Sequence, residues 1–131
     1  MSKNWVQDIR EMHQKFGVRE ATMGMDKERL HSYMKFRFRF LQEELNEGFK
    51  AVHERNPEEV VDALIDLAVV AIGTLDAYDV DGGKAWDEVL RANMSKRVGV
   101  KESRPNPFNL PDLIKPEGFV PPCHAGNHGI I

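Results

Sequence analysis

Five acidic side chains recur at helical spacing in two consecutive segments of the chain. Glu44 and Glu47 lie three residues apart in LQEELNE, and Glu59, Asp62 and Asp66 follow in a segment that is otherwise apolar. At about 100° per residue, the last three fall within roughly 60° of one another on a helix. Aspartate is a poor helix former and is rarely buried without a partner, so this column of acids requires a neutralising group.

The chemistry of such a group follows from its charge. If the two segments form an antiparallel helical hairpin, four or five carboxylates converge in a small volume and repel one another unless cations, protons or basic side chains neutralise them. An all-oxygen donor set suits a hard cation, and Mg²⁺ is commonly held by a few carboxylates together with substrate phosphates. The residues therefore predict a phosphate-handling metal site. Two alternatives are a salt-bridge network with the region of Arg37 and Arg39, and simple solvated helix faces.

Helical periodicity predicts the four helices that position these acids. Apolar residues recur every three or four positions, and the segments begin at capping residues or end at Gly17 and the DVDGG turn. The predicted helices are Asn4 to Phe16, Asp26 to about Arg55, Pro57 to about Tyr78, and Lys84 to Arg97, with residues 18–25 as a loop. No alternating pattern is long enough to build a sheet, so the predicted fold class is all-α.

Composition predicts one domain with an irregular extension. The 131 residues suit a single core, and six of the seven prolines fall between residues 105 and 122. We therefore expect a helical domain at 1–98 and an irregular, Pro-rich C-terminal tail at 99–131 that packs on the body or on a partner subunit. The net charge of −3 argues against nucleic acid or an anionic membrane as a partner, and the single Cys123 favours the cytoplasm.

The acidic pattern resembles a known family. Glu43-Glu44-x-x-Glu47 followed by Glu59-x-x-Asp62 is similar to the E-E-x-x-E and E-x-x-D signature of the MazG-like all-α nucleoside triphosphate pyrophosphohydrolases. This superfamily includes phosphoribosyl-ATP pyrophosphohydrolase and the dimeric dUTPases. The segments FRFRFLQEELNE, VDALIDLAVVAIGTL, RANMSKR and KPEGFVPP look like the phosphoribosyl-ATP pyrophosphohydrolase-like branch of phages and bacteria. The similarity extends from about Trp5 to Pro122.

This resemblance implies a four-helix bundle-like fold, a location in the cytoplasm of a bacterium or a phage-infected host, and a reaction. The reaction is Mg²⁺-dependent hydrolysis of a (d)NTP to the monophosphate and pyrophosphate, with Mn²⁺ as a substitute. Two alignments of the second signature differ, one selecting Glu59 and Asp62 and the other Asp62 and Asp66. The implied residues are Glu43 and Glu44 as catalytic groups, Glu44, Glu47, Glu59, Asp62 and Asp66 as metal ligands, and Arg37, Asn93 and Lys96 as substrate-binding groups.

Assembly and the competing functions complete the expectations. The strongly apolar helices predict a homodimer or homotetramer. A metal-binding or structural helical-bundle interaction protein without hydrolase activity is the alternative function. A ferritin-like iron site is disfavoured, because only Glu28-x-x-His31 matches the Glu-x-x-His pair that such sites repeat on two helices.

Overall fold

The computed structural model describes residues 4–104 and 106–131, and these residues form five helices and two short strands. In chain order the elements are α1 (Trp5–Phe16), α2 (Val18–Met23), α3 (Lys27–His53), α4 (Pro57–Ala77), α5 (Gly82–Met94), β1 (Arg97–Gly99) and β2 (Asp112–Ile114). The predicted all-α class is confirmed. No helix in the described part of the chain has the length and apolar character needed to cross a bilayer.

Side-chain caps start the three helices on which the site depends. Asn4, Asp26 and Asn56 accept hydrogen bonds from backbone N–H groups three residues ahead, at the starts of α1, α3 and α4. Pro57 occupies the first position of α4, where its missing N–H leaves no hydrogen bond unmade. The predicted starts of these helices are therefore correct to within about one residue.

The prediction of a loop at residues 18–25 is wrong, because Val18–Met23 is the helix α2. Gly17 adopts a left-handed conformation with φ +71°, which ends α1 and allows a new helix to start at once. The Thr22 hydroxyl is buried and donates to the carbonyl of Ala77, which fixes α2 against the end of α4. Six residues are too few to show helical periodicity, so tertiary contacts decide this segment.

The β1–β2 hairpin was also not predicted. Arg97 pairs with Ile114 and Gly99 with Asp112 in an antiparallel ladder. Strands of three residues are too short to reveal alternation in the sequence. The hairpin occupies Arg97, where the fourth helix was expected to continue, and α5 ends at Met94 instead.

The chain divides into two compact units. The first comprises the chain up to Gly82 together with Gly126–Ile131, and the second comprises Gly83–Ala125. This division describes which parts of the chain are compact and does not test domain boundaries. The domain boundary expected between residues 98 and 99 therefore remains a prediction. In the first unit, Leu30, Ala77, Tyr78 and Val80 form a buried cluster against which Ile130 of the returning C-terminal segment packs.

Helices α3 and α4 pack against each other in antiparallel fashion. A Cβ built on Gly48 would lie 3.6 Å from the Cβ of Ala63, while Arg37, eleven residues earlier, bonds to Val70 and Thr74 near the other end of α4. Small residues at the contact, such as Gly48 and Ala63, let the two helices approach closely. The hairpin expected from the short connection between the acidic segments is therefore present.

Candidate metal and active site

Four of the predicted acids converge where α3 and α4 face each other. Glu44 and Glu47 come from α3, one turn apart, and Asp62 and Asp66 come from α4 at the same kind of spacing. Glu44 is affected by the charges of Glu47, Asp66 and Asp62, and Asp66 by those of Asp62 and Glu47, so the four side chains lie close to one another.

The electrostatics of this cluster favour the uncharged forms of Glu44 and Asp66. Burial raises the pKa of Glu44 above its usual value of 4.5, and the negative charges of Glu47, Asp66 and Asp62 raise it further. Burial likewise raises the pKa of Asp66 above 3.8, followed by the charges of Asp62 and Glu47. Each helix thus destabilises ionised carboxylates on the other, and a cation between them would reverse that effect.

One oxygen of Glu44 has no partner. Its Oε2 atom is buried and accepts no hydrogen bond from any described residue. No ion pair joins Arg37 or Arg39 to these acids within residues 4–104 and 106–131; Arg37 instead donates from Nε to Thr74 Oγ1 at 2.9 Å and from Nη2 to the Val70 carbonyl at 3.0 Å. The salt-bridge network considered as an alternative is therefore not formed.

The donor chemistry fits a hard divalent cation. In the described part of the chain, no group of three or more His, Cys, Asp or Glu side chains is placed so that it could hold a metal ion without rearrangement. Four carboxyl groups nevertheless face one another, all their donor atoms are oxygens, and one buried oxygen is unsatisfied. Glu44, Glu47, Asp62 and Asp66 are the residues that would hold such an ion.

A family model describing phosphoribosyl-ATP pyrophosphohydrolase matches residues 9–93, which is more than half of the chain and includes both acidic segments. The chain belongs to this family. Neither a curated protein nor a solved structure matches the chain. The predicted family, which is part of the MazG-like all-α superfamily, is confirmed. Membership supports a pyrophosphohydrolase activity on a small nucleotide-like substrate.

Two predicted acids of this pyrophosphohydrolase lie apart from the cluster. Glu43 is exposed on α3, and Glu59 is exposed in the first turn of α4, where its N–H donates to the Asn56 side chain. Neither is among the groups that raise the pKa of Glu44 or Asp66. The geometry thus groups Asp62 with Asp66 rather than with Glu59, and metal ligation by any of these residues remains a prediction.

The remaining predicted residues lie on different elements. Arg37 is partly buried on α3 and is held by α4. Asn93 is exposed near the end of α5, and Lys96 is half-buried just after it, with its Nζ 5.9 Å from the centre of the Phe119 ring. Both belong to the second unit, and their contact with substrate remains a prediction.

Sequence reasoning missed a buried ion pair that joins α1 to α4. Asp76 is 3% exposed and lies 2.9 Å from His13 Nδ1, which is also buried, and 3.3 Å from Arg10 Nε. The available signal was its position: an acid near the C-terminus of an apolar helix faces the negative end of the helix dipole and needs cationic partners. His13 is thus a buried polar residue whose ring nitrogen contacts Asp76.

Gly73 is the second residue that the sequence did not single out. A Cβ at this position would lie 3.0 Å from Arg37 Nη2 and 3.3 Å from His13 Nε2. The missing side chain therefore allows polar groups from α3 and α1 to approach α4 at the same level, about two turns along the helix from Asp66. This packing, rather than backbone freedom, accounts for the glycine within a helix.

Proposed function

We propose that this pyrophosphohydrolase is Mg²⁺-dependent and converts a (d)NTP and water into the (d)NMP and pyrophosphate. The observation that supports this proposal is the cluster of Glu44, Glu47, Asp62 and Asp66, in which burial and mutual repulsion raise carboxyl pKa values. A triphosphate alone would be repelled by such a cluster. A negatively charged site suits a polyanionic substrate only when divalent cations lie between the carboxylates and the phosphates.

The proposed roles follow from position and chemistry. The four clustered acids hold the metal, and bound Mg²⁺ supplies neutralisation of the charge that develops on phosphate oxygens. Glu43, exposed on the same helix one residue before Glu44, orients or deprotonates the attacking water. Arg37, Asn93 and Lys96 offer guanidinium, amide and ammonium donors to the phosphates.

The first experiment measures products. Purified protein is incubated with a panel of dNTPs, NTPs and phosphoribosyl-ATP in the presence of Mg²⁺, Mn²⁺ or EDTA, and monophosphate, pyrophosphate and orthophosphate are quantified. We expect pyrophosphate release from a (d)NTP with Mg²⁺, weaker or equal release with Mn²⁺, and none with EDTA. Phosphoribosyl-ATP is included because the matching family model is named for its hydrolysis.

Variants connect the activity to the cluster. Glu44→Gln and Asp62→Asn should each lower kcat/KM by about 100-fold or more, since each removes a charge that positions the metal and substrate. Asp87→Asn, at an exposed position of α5 outside the cluster, is the matched control and should retain activity. Circular dichroism at the assay temperature is the control that tests whether all three variants are folded.

Other outcomes would contradict the proposal. Release of orthophosphate alone would indicate a different reaction, and undiminished hydrolysis in EDTA would exclude a dependence on Mg²⁺. If no nucleotide of the panel is hydrolysed and Mg²⁺ does not shift the melting temperature, the alternative of a helical-bundle interaction protein without hydrolase activity is supported.

We also propose a homodimer or homotetramer. Phe36, Phe38 and Phe49 on α3 are 55%, 63% and 68% exposed in the single chain, and Leu64 and Ile65 on α4 are 62% and 46% exposed. Apolar surface of this extent on helices that also hold the acids is typical of subunit interfaces. Light scattering coupled to gel filtration should give a mass of two or four chains, and a monomer at micromolar concentration would contradict this proposal.

A further inference from the structure

Two lysines face each other at the end of the β1–β2 hairpin. Arg97 pairs with Ile114 in the antiparallel ladder, so Lys96 and Lys115 occupy the next opposing positions outside it. Directly opposite residues of an antiparallel pair have Cβ atoms about 4.5–5.5 Å apart, and like charges at such positions destabilise the pairing. The hairpin therefore brings two positively charged side chains to opposing positions at its end.

Two arginines of the second unit form ion pairs with carboxylates, and these two lysines do not. Arg91 contacts Glu88 at 3.0 Å, and Arg104 contacts Asp112 at 2.9 Å. Among the described residues, no carboxylate lies within ion-pairing distance of Lys96 or Lys115. The second unit carries seven basic against five acidic side chains, although the whole chain has a net charge of −3.

An aromatic ring gathers the two cations instead. Lys96 Nζ lies 5.9 Å and Lys115 Nζ 5.4 Å from the centre of the Phe119 ring. Attraction between a cation and a ring is weak at partly exposed sites, so one ring does not neutralise two ammonium groups. Both ammonium groups thus lie near the Phe119 ring, and no carboxylate of the described residues forms an ion pair with either of them.

We propose that Lys96, Lys115 and Phe119 form a polyphosphate-binding site. An anion with at least two charged phosphate groups can contact both ammonium groups at once, whereas a single phosphate neutralises less of the pair. Identifying this anion as the phosphate chain of the substrate rests on the proposed function. Lys115 and Phe119 are thereby added to Lys96 as binding residues. Binding of a polyanion also explains why two like charges lie at opposing positions of the hairpin.

The binding test uses the full chain without divalent metal. With EDTA present, the acidic cluster on α3 and α4 repels anions, so any binding of inorganic tripolyphosphate comes from basic groups. Titration calorimetry at low ionic strength should show that Lys115→Gln and Lys96→Gln each weaken this binding by about tenfold, while Lys115→Arg keeps it within about threefold. Lys101→Gln removes one charge elsewhere in the same unit and should change binding by less than about twofold.

A charge reversal separates binding from folding. Lys115→Glu places an opposite charge across from Lys96, so we expect a higher melting temperature together with loss of tripolyphosphate binding. Phe119→Leu keeps an apolar side chain and should weaken binding less than loss of either lysine. The inference is overturned if the wild type does not bind tripolyphosphate in EDTA, or if Lys115→Gln and Lys101→Gln bind it equally.

Comparison of ligands identifies the source of the anion. A non-hydrolysable triphosphate nucleotide, tripolyphosphate and pyrophosphate should bind, and a nucleoside monophosphate should bind at least tenfold more weakly. Equal binding of the monophosphate would overturn a polyphosphate site. Hydrolysis of a (d)NTP with Mg²⁺ by the wild type is measured separately, so a chain that hydrolyses but shows no effect at Lys115 refutes this inference alone. A chain that binds tripolyphosphate through these lysines and never hydrolyses refutes the proposed function alone.

Discussion

Replacing Asp66 with asparagine isolates the repulsion within the acidic cluster. Asparagine has nearly the same shape and a similar helix propensity, so the change removes a titratable charge with little other effect on α4. Burial and the charges of Asp62 and Glu47 raise the pKa of Asp66 in the folded protein above 3.8. A group whose pKa is raised by folding stabilises the fold fully when the pH is below its pKa in the unfolded chain. This contribution is lost as the pH rises through its pKa in the folded protein.

The magnitude follows from helix geometry. Asp62 and Asp66 are four residues apart, which places their Cβ atoms about 5–6 Å from each other. Two unit charges 6 Å apart repel by about 0.7 kcal/mol in water and by about 2.8 kcal/mol at an effective dielectric constant of 20. Because Asp62 is exposed and Asp66 only partly buried, we expect about 1 kcal/mol, or a shift of about 3–4 °C in the melting temperature of a chain of this size.

Thermal denaturation in EDTA between pH 3 and pH 8 tests this reasoning. Asp66→Asn should melt close to the wild type at pH 3 and above it at pH 7, and Asp87→Asn should show no comparable pH-dependent difference. Mg²⁺ at about 100 times its Kd should stabilise the wild type by about 2.7 kcal/mol and the variant by much less. An Asp66→Asn variant that is less stable than the wild type at neutral pH without metal would refute the repulsive cluster.

Further predictions concern the packing around α4. Gly73→Ala should cost about 1–2 kcal/mol because the new methyl group would press on Arg37 and His13, whereas Gly48→Ala, with a clear 3.6 Å contact, should be neutral or stabilising in thermal melts. Asp76→Asn should lower the free energy of unfolding in urea by about 3 kcal/mol because it breaks a buried ion pair. The equivalent change at Asp79, whose pair with Arg19 is exposed, should cost less than about 1 kcal/mol.

The sequence predicted features that depend on local chemistry. Capping residues and a proline located the starts of α1, α3 and α4. The short link at Asn56 indicated that α3 and α4 form an antiparallel hairpin. The spacing of Asp62 and Asp66 is by itself enough to place both on one helix face. These features depend on residues close together in the chain, whose geometry is set by the helix itself.

Features that depend on distant residues required the fold. The helix α2 forms because Thr22 reaches Ala77, and Asp76 is tolerated because His13 approaches it from α1. The opposition of Lys96 and Lys115 arises only from the register of two three-residue strands.

The sequence by itself determined that this chain is an all-α protein of a pyrophosphohydrolase family with acids on adjacent helices. Only the tertiary structure decided which of those acids meet: Glu44 and Glu47 face Asp62 and Asp66, while Glu43 and Glu59 are not among the groups that affect Glu44 or Asp66. The reason is physical, because helical periodicity fixes the direction of a side chain relative to its own helix. The rotation and register of one helix against another are set by the packing of small residues such as Gly48 and Ala63, which no local pattern specifies.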